Sequence, residues 1–261
     1  MILVMTFFSL AIAAAAADFV PEDISFTAAC DGTTQQYVRV LPVDFDAKVP
    51  HDVLIALHGH GSDRWQYVLS DTGSCPAARE TAKKHEMIYI APDYRAKTSW
   101  MGPKAEADLV QIIAMLKEQY TIHRVILCGG SMGGSSVLTF AVLHPDLVDG
   151  VISMNGTANH VEYANFQDAI RESFGGTKEE VPEEYRQRSA EFFPERLTMP
   201  VAITAGGQDT SVPSDSVLRL AKELEKLGRE VFVIFHEDGG HSTTDEDAAR
   251  AMEWVLERAK P

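Results

Sequence analysis

The stretch Val125-Ile126-Leu127-Cys128-Gly129-Gly130-Ser131-Met132-Gly133-Gly134 constrains this chain more than any other, because an apolar run passes directly into Gly-x-Ser-x-Gly and then into the helix-like segment Ser135 to His144. A serine on so tight a strand-to-helix turn takes strained backbone angles. Gly129 and Gly133, two places either side, must therefore lack a Cβ where strand and helix crowd together. The turn pushes Ser131 Oγ into the open as a nucleophile. The helix behind it aims its N-terminus at the same spot, so the Met132 amide is expected to donate to a developing oxyanion. A plain glycine-rich turn is the alternative, and the β-branched run before it and the helical run after it argue against that reading.

A nucleophilic serine needs a general base, and the base needs an acid to orient it, here in the order Ser, Asp or Glu, His. The apolar run Val201 to Ala205 ends in Gly206-Gly207-Gln208-Asp209, which places a carboxylate just past the C-terminal end of a strand, where open α/β sheets carry their chemistry. Asp209 is the expected acid. The strand-like segment Glu230 to Phe235 runs into His236-Glu237-Asp238-Gly239-Gly240-His241-Ser242, a loop ahead of the last helix, and His241 is the expected base. His236 is the rival and ranks lower, because it continues the strand instead of sitting in the glycine-hinged loop.

A second oxyanion donor should come from the turn after Val53-Leu54-Ile55-Ala56-Leu57, which reads His58-Gly59-His60-Gly61. The amide of His60 or Gly61 is the expected partner of Met132. His58, His60 and Asp63 superficially suggest di-zinc spacing. The aspartate is one place too far, Arg64 stands where another histidine would help, and no second ligand cluster follows, so no metal is expected.

With these motifs the chain resembles an α/β-hydrolase, closest to the small esterase and prolyl-oligopeptidase-like branch. The resemblance rests on His58 to Gly61, Gly129 to Gly134, Met199 to Pro213 and Gly240-His241-Ser242, and it spans most of the chain after residue 50. It implies a Ser131, Asp209, His241 triad with no cofactor. Peptidases of that branch carry a large β-propeller ahead of the hydrolase domain, and 261 residues leave no room for one.

At 45% hydrophobic, a chain of this length can bury the core of one catalytic domain, expected over residues 18–261. A net charge of -15 repels phosphate backbones and anionic lipid, so neither nucleic acid nor stable membrane association is expected. Ile2 to Ala17 is a short apolar stretch ending in Ala15-Ala16-Ala17, which fits a signal peptide over residues 1–17 and a secreted or periplasmic location after cleavage near Ala17. Its start carries no Lys or Arg, so the α-amino group alone supplies the charge unless the start lies upstream. Export exposes cysteines to oxidation. Cys128 reads as buried packing, which leaves Cys30 and Cys75 either as a disulfide or as two inert thiols.

Strands and helices alternate, as a mostly parallel, doubly wound sheet flanked by helices requires. Strands are expected at Gln36 to Leu41, Asp52 to Leu57, Met87 to Ala91, the elbow, Gly150 to Met154, Val201 to Ala205 and Glu230 to Phe235. Helices are expected at Pro76 to His85, Ala105 to Tyr120, Ser135 to His144, Ser214 to Leu227 with a stop at Gly228, and Thr244 to Lys260. The segment from Gly156 to Leu197 breaks the alternation and reads as a small, highly charged helical cap, unlike the apolar lid of a fat-cleaving lipase. A solvated insertion and a substrate gate are equally compatible with it. Trp65, Tyr67, Tyr94 and Trp100 fall near the predicted mouth, where rings stack on sugar or phenolic groups or pack the cap on the core. Asp108 and Arg95 read as loop braces.

These residues predict acyl transfer through an acyl-enzyme intermediate. The expectation is a secreted serine carboxylesterase hydrolysing short-chain or carbohydrate-linked esters, its partner a small-molecule ester such as an acylated carbohydrate. A prolyl-oligopeptidase-like serine peptidase acting on short peptides would share the triad. A non-catalytic secreted binding module on a hydrolase fold is the weakest reading, because every triad position is filled.

Overall fold

The computed structural model describes residues 19–261, so the signal-like segment Ile2 to Ala17 lies outside the described residues. A hairpin of β1 (Glu22–Thr27) and β2 (Thr34–Val40) comes first, followed by β3 (His51–Leu57), the single-turn α1 (Gln66–Leu69), α2 (Cys75–Lys84) and β4 (Ile88–Pro92). Then come α3 (Pro103–Gln119), β5 (Ile122–Gly130), α4 (Met132–Leu143) and β6 (Gly150–Met154). The cap holds α5 (Gln167–Phe174) and α6 (Pro182–Gln187), and β7 (Val201–Gly206), α7 (Asp215–Lys226), β8 (Val231–His236) and α8 (Asp245–Leu256) complete the order. Among the described residues no helix is long and apolar enough to cross a membrane.

The strands form one eight-stranded sheet in the order β1-β2-β4-β3-β5-β6-β7-β8. Antiparallel pairing is confined to β1–β2 and β2–β4, and every other neighbour is parallel. The apolar runs explain this. β4, β6 and β7 are buried at every residue, the mark of strands covered by helices on both faces. α3, α4, α7 and the cap pack on one face, and α2 and α8 on the other. α4 is buried from Met132 to Val142, as a helix apolar all round must be. Each Val, Leu or Phe it hides is worth roughly 1.5–3 kcal/mol.

The fold is the mostly parallel α/β-hydrolase architecture expected, with element ends displaced by a few residues. β1 and α1 were not anticipated. β1 is a polar-faced edge strand and α1 is one turn, so neither presents a sustained period. α7 stops where Gly228 turns left-handed at φ 66°, and Thr244 caps α8 by accepting from the Asp247 amide. The cap is bolted to the body by Arg188, which pairs with Glu106 at 2.7 Å and Glu184 at 3.1 Å and donates to the Met101 carbonyl at 2.9 Å.

Of the two readings open for Cys30 and Cys75 the structure carries the second: they are not bonded to each other, and Cys128 is a buried free thiol as expected. Cys30 is exposed beside Arg95 and Asp108, whereas Cys75 begins α2 and is buried in the cluster on the opposite face of the sheet. Arg95 and Asp108 do brace this corner, through bonds of 2.5 and 2.9 Å, with Asp31 as a third member.

Candidate active site

The strand β5 delivers Ser131 at φ 59° and ψ -120°, outside the ordinary regions for an L-residue. Its neighbours show why they are glycines. A Cβ on Gly129 would sit 2.5 Å from the Gly133 carbonyl carbon, and one on Gly133 would overlap the Leu57 carbonyl oxygen. The Ser131 amide donates to the Met154 carbonyl at 2.8 Å, which ties the elbow to the end of β6.

Asp209 and His241 arrive on loops that interlock. Gly206 ends β7 opposite His236 of β8, and Cβ atoms on Gly206 and Gly207 would overlap the carbonyl oxygens of Gly239, Gly240 and Glu237. Two backbone bonds fasten the loops, Gly207 to the His236 carbonyl at 2.9 Å and Gln208 to the Gly239 carbonyl at 2.8 Å. Asp209 is buried, its Oδ1 accepting from the amides of Ser211 and Val212 at 2.9 Å each. Its Oδ2 lies 2.6 Å from His241 Nδ1, and His241 Nε2 lies 2.8 Å from Ser131 Oγ. A hydroxyl, an imidazole and a carboxylate from the ends of three strands thus bond in series. His236, the rival base, instead contacts Asp247 at the start of α8, 2.8 Å away.

Met132 begins α4, where an α-helix leaves its first amides without intrahelical partners and carries the positive end of its dipole. The two residues expected as second donors separate. The Gly61 amide is committed to the Lys97 carbonyl at 2.8 Å, which removes it, while the His60 amide has no such bond among the described residues. Gln66 holds the turn in place, its Oε1 accepting from the Gly59 amide at 2.7 Å. Sequence alone could not have shown this, since Gln66 reaches back from a one-turn helix.

His58, His60 and Asp63 do not converge. The ring nitrogens of His58 face the carbonyls of Gly59 and Asp93 at 2.8 and 3.0 Å, and Asp63 Oδ1 accepts from the Trp65 amide. Burial depresses the pKa of both His58 and His60. Among the described residues no group of three or more His, Cys, Asp or Glu side chains is placed to hold a metal ion.

A cleft of about 450 Å³ opens at Ser131 and His241. Its walls include Gln66, Ser70, Ser74, Asn155 and Thr243, and apart from its two histidines no side chain of a charged residue type lines it. Asn155 is locked in place because its Oδ1 accepts from Thr243, whose hydroxyl lies 2.6 Å from that of Thr204. These polar residues sit in loops, beside strand ends or, for Gln66, on the one-turn α1, with no motif to announce them.

The aromatic residues expected at the mouth are corrected in part. Tyr94 and Trp100 are wholly buried and so line nothing open to substrate. The Tyr94 hydroxyl donates to the His58 carbonyl at 2.5 Å, and Trp100 Nε1 donates to His60 Nδ1 at 3.1 Å. Both thereby tie down the turn 58–61. Trp65 is half-buried under the Arg64 guanidinium, and Tyr67 is buried with its hydroxyl 2.9 Å from Ser74 Oγ. An exposed ring beside His60 is one the sequence did not suggest, Phe166 of the cap, 40% exposed and 4.5 Å from His60 between centroids.

The model of the prolyl oligopeptidase family matches residues 84–260. No curated protein matches the chain. Among solved structures, an acylaminoacyl peptidase of Pyrococcus horikoshii superposes with a TM-score of 0.70 at 17% identity, covering 93% of this chain and 42% of its own. This chain therefore spans less than half the length of that peptidase. The fluorophosphonate-binding serine hydrolase F of Staphylococcus aureus superposes with a TM-score of 0.69 at 16% identity over 91% of this chain and 98% of its own. A thermostable esterase does so with a TM-score of 0.68 at 21% identity over 93% and 64%.

Proposed function

This chain belongs to the prolyl oligopeptidase family, and from that premise we propose that it is a serine carboxylesterase acting on short-chain esters, acylated carbohydrates among them. The series Ser131–His241–Asp209 carries the reading. As Ser131 Oγ forms a bond to the ester carbonyl carbon, its proton passes to His241 Nε2 and the carbonyl electrons move onto oxygen. The amides of Met132 and His60 receive that oxyanion. Collapse breaks the bond to the alcohol, which leaves with the proton held by His241, and water repeats the sequence to free the acid. Asp209 stays ionised throughout and stabilises the imidazolium.

The lining of the cleft beside Ser131 supports the ester reading. Next to Ser131 it offers hydroxyls and amides but, histidines aside, no charged side chain; the nearest charged walls, Asp168, Arg171, Glu172 and Glu180, lie in the adjoining groove past His60. The similarity to an acylaminoacyl peptidase keeps peptide cleavage as the second reading, and parallel assays on acetyl esters and aminoacyl amides separate the two. The apolar Ile2 to Ala17 supports export, which detection of a mature N-terminus at Asp18 would test.

Ser131→Ala should lower turnover of p-nitrophenyl acetate by about 10⁶-fold and abolish fluorophosphonate labelling without altering thermal unfolding. Turnover that survives the substitution would remove Ser131 as the nucleophile.

A further inference from the structure

Phe166 opens α5 at φ 54°, in the left-handed region that a bulky side chain enters only when its surroundings compel it. The compulsion is visible. Asn165 Nδ2 donates to the carbonyls of Thr210 and Ser211 at 3.0 and 2.9 Å, and the Tyr163 hydroxyl donates to Ser211 at 2.8 Å. Gln167 Nε2 reaches back to the carbonyls of Tyr163 and Asn165 at 2.8 and 3.1 Å. Both sides of Phe166 are therefore clamped, and the clamp is anchored on the loop whose amides hold Asp209.

This fixes a ring in an unusual place. Phe166 lies against His60 and, at 5.5 Å between centroids, against Trp100, yet keeps 40% of its surface exposed. His60 is common to the walls of the Ser131 cleft and of a wider groove of about 770 Å³ beneath the cap. A group extending from Ser131 toward the cap passes the residue on which the ring is stacked. An immobilised apolar face against His60, where the hydroxyl-rich Ser131 cleft meets the groove walled by Asp168, Arg171, Glu172 and Glu180, suits a flat ring more than an open chain.

We propose that Phe166 determines specificity on the alcohol side of the ester by stacking on a cyclic leaving group, aryl or sugar; this rests on the esterase reading above. The test compares kcat/KM for phenyl acetate and 2,2,2-trifluoroethyl acetate, which share an acyl group and differ in having a ring. In Phe166→Ala and Phe166→Asn the ratio of the two should fall about tenfold through KM, the scale of one lost aromatic contact. Asn tolerates the left-handed backbone, so that variant keeps the test open if alanine disturbs the cap. Phe166→Tyr should restore the ratio. An unchanged ratio in variants that still label with fluorophosphonate at the wild-type rate overturns the proposal and leaves Phe166 as packing. Failure of the wild-type protein to label or to cleave either ester overturns the esterase reading, and the proposal with it.

Discussion

Among the places where this molecule holds residues in left-handed backbone, the elbow and the segment 94–101 are supported in opposite ways. At the elbow a single residue, Ser131, is strained, and glycines two places either side make the crowding bearable. In the segment 94–101, Tyr94, Arg95, Trp100 and Met101 have φ of 32°, 70°, 44° and 55° with no glycine among them. What sustains that segment is burial: Tyr94, Trp100 and Met101 are each at most 1% exposed, and the polar tips of Tyr94 and Trp100 are bonded to His58 and His60. Strain caused by backbone contact a few residues away writes itself into glycine spacing. Strain sustained by distant side chains leaves no local mark.

The comparison breaks if damage near the two turns has the same consequence. Asp209→Asn, on the elbow side, should cut kcat by roughly 10⁴-fold through the wrong histidine tautomer, with thermal unfolding hardly moved. A matching collapse of the melting temperature would show that Asp209 is mainly structural. Trp100→Ala, in the second turn, should instead cost roughly 3–5 kcal/mol of stability, read as a melting temperature lowered by about 2–4 °C per kcal/mol. A change under 1 kcal/mol would mean that the turn does not depend on that burial.

A smaller effect sharpens the picture of the cap that covers the second turn. His160 is fully buried against Trp100 and Phe174, its Nδ1 has no partner, and burial depresses its pKa to about 3. The unfolded chain takes up this proton near pH 6.5 and the folded one does not, so the site contributes nothing above that pH. Below it, the site removes roughly 1.4 kcal/mol of stability per pH unit until the folded value is reached. Other groups also titrate there, so the measurement is a difference: stability of His160→Phe should fall less steeply than wild type between pH 6.5 and 3. Parallel pH profiles would place the proton elsewhere.

The contrast also sets what was legible in the sequence. The parallel sheet and its helices follow from apolar runs and helical spacing, and Ser131, Asp209 and His241 follow from each being the first suitable group past a strand. Phe166, Asn165 and Gln66 act across 7 to 106 positions in the chain, Gln66 on Gly59, Asn165 on Thr210 and Phe166 on His60, and no local pattern announces such reach. Tyr94 and Trp100 were visible as residues but not as buried ones, because aromatic side chains serve cores and clefts equally well. Cys30 and Cys75 stayed open between a disulfide and two free thiols, because sequence does not say which face of a sheet a thiol occupies.

The interlock of Gly206-Gly207 with residues 237–240 has an evolutionary consequence. Acid and base ride on what is in effect one casting, with backbone oxygens where a Cβ on Gly206 or Gly207 would lie. Insertions or deletions there would part the two at once, so changes in chain length should be borne more easily by stretches such as 156–197, where α5, α6 and short 3₁₀ turns form a separate excursion. New substrates can be acquired by rewriting that excursion while the catalytic casting is inherited unchanged.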